Sequence, residues 1–203
     1  MHRCADPRGS SRVTRAPQAD GGEVLRGDSE MPSAPGPGGR LHLSESATLD
    51  GLGRLVGARI VATRPRSPVT TFVLEPLAGT VRMLREGASA VEWRVPADAP
   101  WVYRARSSGD GLLASTPVAA WLAARAAVAG PVVRVLVPET GESYLAPIDQ
   151  LAIATETGTT VVLDGDGVDI DADFVTEARL SARGLRLACL EETSNVSRRA
   201  QGQ

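Results

Sequence analysis

Residues 116–130 read TPVAAWLAARAAVAG and are predicted to form the main helix of the chain. Thr116 is a suitable N-cap, because its side-chain oxygen can accept a hydrogen bond from a free backbone N–H of the first turn. Pro117 suits the first helical position, and Gly130 suits the residue that follows a helix. The run between them is rich in alanine, so Trp121 and Leu122 are expected to supply its main contacts.

On both sides of this helix the sequence alternates between short β-type runs and turn signals. The runs are rich in β-branched or aromatic side chains, and glycine and proline separate them. The predicted strands are 56–64, 69–75, 80–85, 90–95, 101–106, 112–115, 132–137, 143–146, 150–155, 160–163, 168–170, 174–180 and 185–190. Many short strands with one prominent helix predict a mainly β fold, a two-sheet β-sandwich-like domain.

The first forty residues are predicted to be a disordered tail. They hold few large apolar side chains and many prolines and glycines, so they cannot bury enough apolar surface to offset the entropy of ordering. Met31 lies within them, so a native start at Met31 stays open as an alternative. Residues 44–56 are predicted to form a short helix with Leu49, Leu52 and Val56 on one face. The predicted organisation is a tail over 1–40, a β domain over 41–190 and a polar tail over 191–203.

The composition argues against several classes of site. All 22 basic residues are arginine, so the chain offers no lysine for a P-loop or a Schiff base. The two histidines, His2 and His42, both lie in the polar leading third, and no metal site is predicted. A net charge of −2 argues against nucleic-acid binding, and no apolar stretch is long enough to span a membrane.

The two cysteines, Cys4 and Cys189, lie at opposite ends of the sequence. Two such distant cysteines are not typical of a disulfide framework, so the sequence predicts a cytoplasmic location. Cys189 falls in an apolar predicted strand and is interpreted as an inert core thiol.

Residues 107–117 read SSGDGLLASTP and form the most distinctive motif. Glycines on both sides of Asp110 permit a tight turn and a close approach of a ligand. The helix behind Thr116 presents free N–H groups and the positive end of its dipole. A carboxylate on such a turn could hold a ribose or an amide. An ordinary hairpin followed by a capped helix has the same signals and stays open as an alternative.

Residues 103–117 resemble the C-terminal domain of the NAD kinase family. That family carries a tyrosine-containing strand, a GDG turn, a short apolar strand and a Thr-Pro helix start, in the order found here from Tyr103 to Pro117. The resemblance continues in the Gly-Pro at 130–131, the Leu-Ala-Pro-Ile at 145–148, the hairpin at 161–166 and the closing strands at 168–187. It covers roughly residues 55–190 and supports the two-sheet β fold.

The resemblance implies a domain that binds NAD or a related nucleotide and makes subunit contacts. Asp110 would contact the dinucleotide, and the turn and helix start around it would shape the site. The implied cofactor-binding residues are Gly109, Asp110, Gly111, Ser115 and Thr116. The reaction of the family is the ATP-dependent phosphorylation of NAD to NADP, which depends on positioning and charge stabilisation.

Two departures limit what carries over. The helix of the family begins TPTGSTAY, whereas this chain reads TPVAAWLA, so Val118 and Trp121 stand where hydroxyls would be. The catalytic Gly-Gly-Asp-Gly of the family's other domain is absent before residue 109. The predicted function is therefore a degenerate, dinucleotide-binding pseudoenzyme, with catalytic residues unknown.

Two alternatives stay open. One is a non-catalytic interaction or oligomerisation module, which an apolar Val118 and Trp121 surface would favour. The other is one half of a split NAD kinase whose ATP-binding half is a separate chain. The expected partners are a nucleotide and a second copy or a partner protein, without nucleic acid or membrane.

Overall fold

A computed structural model describes residues 2–6, 9–32, 39–65, 68–96, 100–104, 116–152, 158–163, 166–171, 174–180 and 185–191. These residues form strands joined by short turns, with one helix in the second half of the chain. The strands are β1 (His2–Asp6), β2 (Gly9–Pro17), β3 (Glu23–Pro32), β4 (Arg40–Leu49), β5 (Leu55–Thr63), β6 (Thr70–Leu77), β7 (Thr80–Arg85), β8 (Val91–Arg94), β9 (Trp101–Tyr103), β10 (Val132–Val137), β11 (Glu142–Pro147), β12 (Asp149–Ala152), β13 (Gly158–Leu163), β14 (Asp166–Asp171), β15 (Phe174–Leu180) and β16 (Leu185–Glu191), and the helix is α1 (Pro117–Ala129).

The larger sheet has thirteen antiparallel strands in the order β12-β13-β14-β15-β16-β1-β2-β3-β4-β5-β6-β7-β8. It consists of two meanders, the first meander β1–β8 and the last meander β12–β16, and β1 pairs with β16 where they meet. The smaller sheet has the order β11-β10-β9, with β9 parallel to β10. The fold is therefore mainly β, with two sheets and one helix, as the sequence predicts.

Helix α1 lies against both meanders of the larger sheet. It contacts β2 and β3 of the first meander and β13, β14 and β15 of the last, so the sheet curves around it. A Cβ atom on Gly27 of β3 would lie 2.4 Å from Cγ2 of Val118. Since such a contact is too short, glycine at this position lets the helix approach the strand closely. Val118, which makes this contact, is fully buried.

The strand β4 shows how the sheet forms its core. Its side chains alternate between the inner and outer face, and the inner ones at Leu41, Leu43, Ala47 and Leu49 are buried. Alternation of this kind is the period of a half-buried strand. The inner position between Leu43 and Ala47 belongs to Glu45, which is also buried.

The structure differs from the sequence prediction in the first fifty residues. Residues 2–6, 9–17 and 23–32 form β1, β2 and β3 instead of a disordered tail, with Leu25 and Met31 fully buried. Small or polar residues fill other inner positions of these strands, notably Ser11, Gly27 and Ser29, and this hides the alternation. The helix predicted over 44–56 is wrong, because this segment is the end of β4, a turn at 50–54 and the start of β5.

The helix predicted from the Thr-Pro start is confirmed. It runs over Pro117–Ala129, and Thr116 is its N-cap, accepting a hydrogen bond from the backbone N–H of Ala119 at 3.1 Å. Within the described part of the chain, no helix has the length and apolar character needed to cross a membrane.

The predicted core position of Cys189 is confirmed, but the interpretation of Cys189 as a thiol is wrong. Cys189 is buried in β16 and is disulfide-bonded. The register of β1 against β16 places Cys4 opposite Cys189. The cytoplasmic location is predicted from two distant cysteines without a disulfide framework, so the disulfide removes the observation on which that prediction rests.

Candidate functional site

The residues predicted to bind a dinucleotide fall largely outside the described part of the chain. Gly109, Asp110, Gly111 and Ser115 belong to the segment 105–115, which is not described. Thr116 is described and is fully buried, with its hydroxyl oxygen engaged in capping α1. The dinucleotide site stays a prediction.

The apolar helix surface predicted to meet a partner lies inside the fold. Val118 is 0% and Trp121 is 5% exposed, because both face the larger sheet. Their apolar side chains therefore belong to the packing of this core. An interaction surface has to be sought elsewhere on the molecule.

A buried carboxyl group lies at the start of α1. Tyr103 of β9 donates its hydroxyl to Oε1 of Glu45 at 3.0 Å. Burial raises the pKa of Glu45 to about 7, although hydrogen bonds with Thr116 and Tyr103 oppose the rise, and the nearby Asp28 charge adds to it. Burial and the Glu45 charge together raise the pKa of the Tyr103 hydroxyl. We call these three side chains, Glu45, Tyr103 and Thr116, the interior cluster.

The interior cluster joins three elements that are distant in sequence. Glu45 belongs to β4, Tyr103 to β9 and Thr116 to the cap of α1. A carboxyl group beside a helix N-terminus also interacts favourably with the helix dipole when it is ionised. Sequence reasoning missed this cluster because residues 44–56 were interpreted as a helix, which hid Glu45 on the inner face of a strand.

A groove lies at one end of the larger sheet, where the turns that follow β2, β4 and β6 come together. It consists of three adjoining cavities of about 470, 180 and 160 Å³. The first two share Leu52, Gly53 and Arg125, and the last two share Arg54 and Trp101. We call these cavities together the end groove.

Two arginines, Arg15 and Arg125, line the polar end of this groove. Arg15 and Arg125 both contact the carboxylate of Glu23, at N···O distances of 2.8 and 3.3 Å. The same two guanidinium groups lie 4.8 and 5.2 Å from the ring centroid of Trp121. Each is therefore within cation–π distance of the indole, which favours this orientation of both arginines.

An ion pair stands at the centre of the groove. The Nε and Nη2 atoms of Arg54 lie 2.8 and 2.7 Å from Oδ2 of Asp50. The backbone N–H groups of Leu52 and Arg54 donate to Oδ1 of Asp50, each at 2.9 Å. Slight burial alone would raise the pKa of Asp50, but the hydrogen bonds from Arg54 and Leu52 and the Arg54 charge lower it.

Apolar side chains line the two smaller cavities. Leu49, Leu55, Trp101 and Leu122 line one of them. The other lies between Leu55 and Trp101 and the residues Leu77, Val81 and Val95. At the rim, Leu52 is 79% exposed. The groove is therefore amphipathic, with arginines and carboxylates at one end and in the middle, and apolar cavities on either side of Arg54.

Comparison with known proteins leaves the family of the chain open. No protein-family model and no curated protein matches it. A solved structure that it is similar to is a β-barrel-like protein of the domain of unknown function DUF1849 from Brucella abortus, at 8% identity and a TM-score of 0.41, over 93% of this chain and 90% of that one. The comparisons contain no NAD kinase relative, and the identification of a NAD kinase domain is wrong.

Proposed function

We propose that the chain is a non-catalytic interaction module that binds an extended peptide segment of a partner protein in the end groove. The observation that carries the proposal is the Asp50–Arg54 ion pair, since Arg54 lines both apolar cavities. An extended peptide has the same arrangement, with polar backbone groups between side chains. The interaction surface proposed here is the end groove, in place of the Val118 and Trp121 surface of the helix that the sequence suggests.

The ion pair favours a peptide over a hydrocarbon chain. An acyl chain running along both apolar cavities would have to cross the charged groups of Asp50 and Arg54. These groups would lose bound water and gain no hydrogen bond from the acyl chain, which is unfavourable. A peptide backbone can instead hydrogen-bond to them. The Arg54 guanidinium has five N–H donors, of which Asp50 uses two, and its side chain is 42% exposed.

The sizes of the apolar cavities fit single side chains. A cavity of about 150 Å³ holds a benzene-sized group, and the two cavities here measure about 180 and 160 Å³. Side chains two residues apart in an extended peptide point to the same face, so they can enter both cavities together.

The charge of the groove favours an acidic peptide. Its lining contains the arginines Arg15, Arg54 and Arg125 and the carboxylates of Glu23 and Asp50. This excess of guanidinium groups complements a peptide that carries a carboxylate beyond its apolar residues. Charge complementarity of this kind contributes mainly to specificity and to the association rate.

The test uses a capped synthetic hexapeptide with leucine at its second and fourth positions and aspartate at its sixth. Since Trp101 lines both apolar cavities, binding should change the tryptophan fluorescence. Replacing the rim residue in Leu52→Asp should weaken binding about tenfold or more, because it removes apolar contact and adds a repelling charge.

Two controls make the result specific. Leu145→Asp changes another exposed leucine, on β11 outside the groove, and should bind the peptide like the unaltered chain. A hexapeptide with adjacent leucines places them on opposite faces and should bind more weakly. Equal affinities of the two leucine variants, or no fluorescence change at millimolar peptide, would contradict the proposal.

A further inference from the structure

The join between the two meanders carries an inference that is independent of the end groove. Strand β1 pairs with β16 through four register pairs, from His2 opposite Glu191 to Ala5 opposite Ala188. Among the described strands, this is the pairing that links the first meander to the last within the larger sheet. The strand β1 has five residues, so this join is short.

The two cysteines lie in the middle of this join. Cys4 of β1 is opposite Cys189 of β16, and Cys189 is 3% exposed and disulfide-bonded. The chain contains two cysteines, so an intrachain disulfide of Cys189 is with Cys4. Directly opposite residues of antiparallel strands have Cα atoms about 4.5–5.5 Å apart, within the range that a disulfide requires.

The register also continues across the neighbouring strands. Ser11 of β2 is opposite Cys4, and Ser29 of β3 is opposite Ser11. The hydroxyls of these two buried serines lie 2.8 Å apart and form a hydrogen bond. A slip of β1 by one residue would turn its side chains to the other face and separate the cysteines.

We propose that the Cys4–Cys189 disulfide is a clasp that closes the larger sheet, and that the chain completes its folding in a compartment that supplies a thiol–disulfide oxidant. Two cysteine thiols are oxidised to one disulfide and lose two protons and two electrons. The disulfide of the oxidant accepts both and becomes two thiols. The exchange passes through a mixed disulfide between one cysteine and the oxidant.

The effect of the clasp on stability follows from the length of the loop that it closes. The bond joins residues that lie in the first and last strands of the described chain, so it constrains almost all of the unfolded chain. It also holds the edges of the two meanders in register while β1 and β16 form their backbone hydrogen bonds. Without it, the pairing of β1 with β16 rests on four residue pairs.

The test measures thermal unfolding of the full chain with and without a phosphine reductant. Reduction should lower the Tm by about 10 °C. Cys4→Ser, Cys189→Ser and the double variant should each show about the same loss without reductant, because either change removes the whole bond. Ala188→Ser, at the exposed neighbouring position, should keep both the original Tm and its sensitivity to reductant.

Hydrogen exchange separates a clasp from a general loss of folding. Reduction should increase deuterium uptake in β1 and β16 first, while β4 and β5 retain their protection. If alkylation of the unfolded, non-reduced protein captures two free thiols, or if reduction leaves the Tm unchanged, the proposal is wrong. Neither outcome affects the peptide proposal, which the leucine variants test separately.

Discussion

The sheet interior and the end groove hold two carboxyl groups that are close in sequence and opposite in behaviour. Glu45 is buried on the inner face of β4, where its pKa is raised to about 7. Asp50 lies in the turn that follows the same strand, and hydrogen bonds and a guanidinium lower its pKa in spite of slight burial. The comparison shows that surroundings, more than residue type, decide which form of a carboxyl group is stable.

The first prediction uses this difference and has the largest expected effect. Between its ordinary pKa of 4.5 and the folded value of about 7, the carboxyl of Glu45 is protonated in the folded chain and ionised in the unfolded chain. The folded state therefore binds more protons, and stability contributed by Glu45 falls as the pH rises through this window, by about 3 kcal/mol.

Denaturant unfolding at several pH values measures this effect. Glu45→Gln keeps an acceptor for Tyr103 but has no titration, so the difference in unfolding free energy between the variant and the unaltered chain should grow as the pH rises from 4.5 to 7 and then level off. A difference that does not change with pH would show that Glu45 is not buried in this way.

The second prediction concerns the close contact between Gly27 of β3 and Val118 of α1, which lies beside Glu45. Gly27→Ala would place a Cβ atom too near Val118 and should destabilise the fold by about 2 kcal/mol. Val118→Ala in the same chain should restore part of this loss, because it removes the group that the new Cβ meets. Thermal unfolding of the two single variants and the double variant measures the coupling, and additive losses would argue against the close approach.

The third prediction returns to the groove and has the smallest effect. Asp50→Asn removes an ion pair that is partly exposed to solvent, so the expected loss is less than about 1 kcal/mol. Because the pKa of Asp50 is lowered, the stabilisation is present above its ordinary value of 3.8 and is lost as the pH falls through the folded value. This pH dependence has the opposite sign to that of Glu45, and unfolding curves at low pH measure it.

The parts of the fold that are encoded locally could be predicted from the sequence. The helix follows from Thr116, Pro117 and Gly130, each of which acts through its immediate neighbours. Most of the later strands follow from β-branched runs between turns. The strands β1, β2, β3 and β4 escape prediction, because their inner face includes small and polar residues such as Ser11, Gly27 and Glu45, which interrupt the apolar alternation.

The candidate sites depend on contacts that a single sequence does not display. The end groove forms because pairing of successive strands brings three turns to the same end of the sheet, where α1 adds Leu122 and Arg125. The interior cluster likewise needs β9 and α1 to meet β4. The opposition of Cys4 and Cys189 requires the meeting of two meanders, and neither cysteine has a local signal for it.

The neighbouring positions of His2 and Glu191 in the sheet mean that the covalent order of the strands can be rotated. A short hairpin connecting β16 to β1, with new chain ends opened in the turn 138–141 between β10 and β11, would preserve every strand neighbour of the larger sheet. Such a circular permutant would add a peptide linkage at the seam where the disulfide lies. The architecture thus depends on which strands adjoin more than on the order in which the chain connects them.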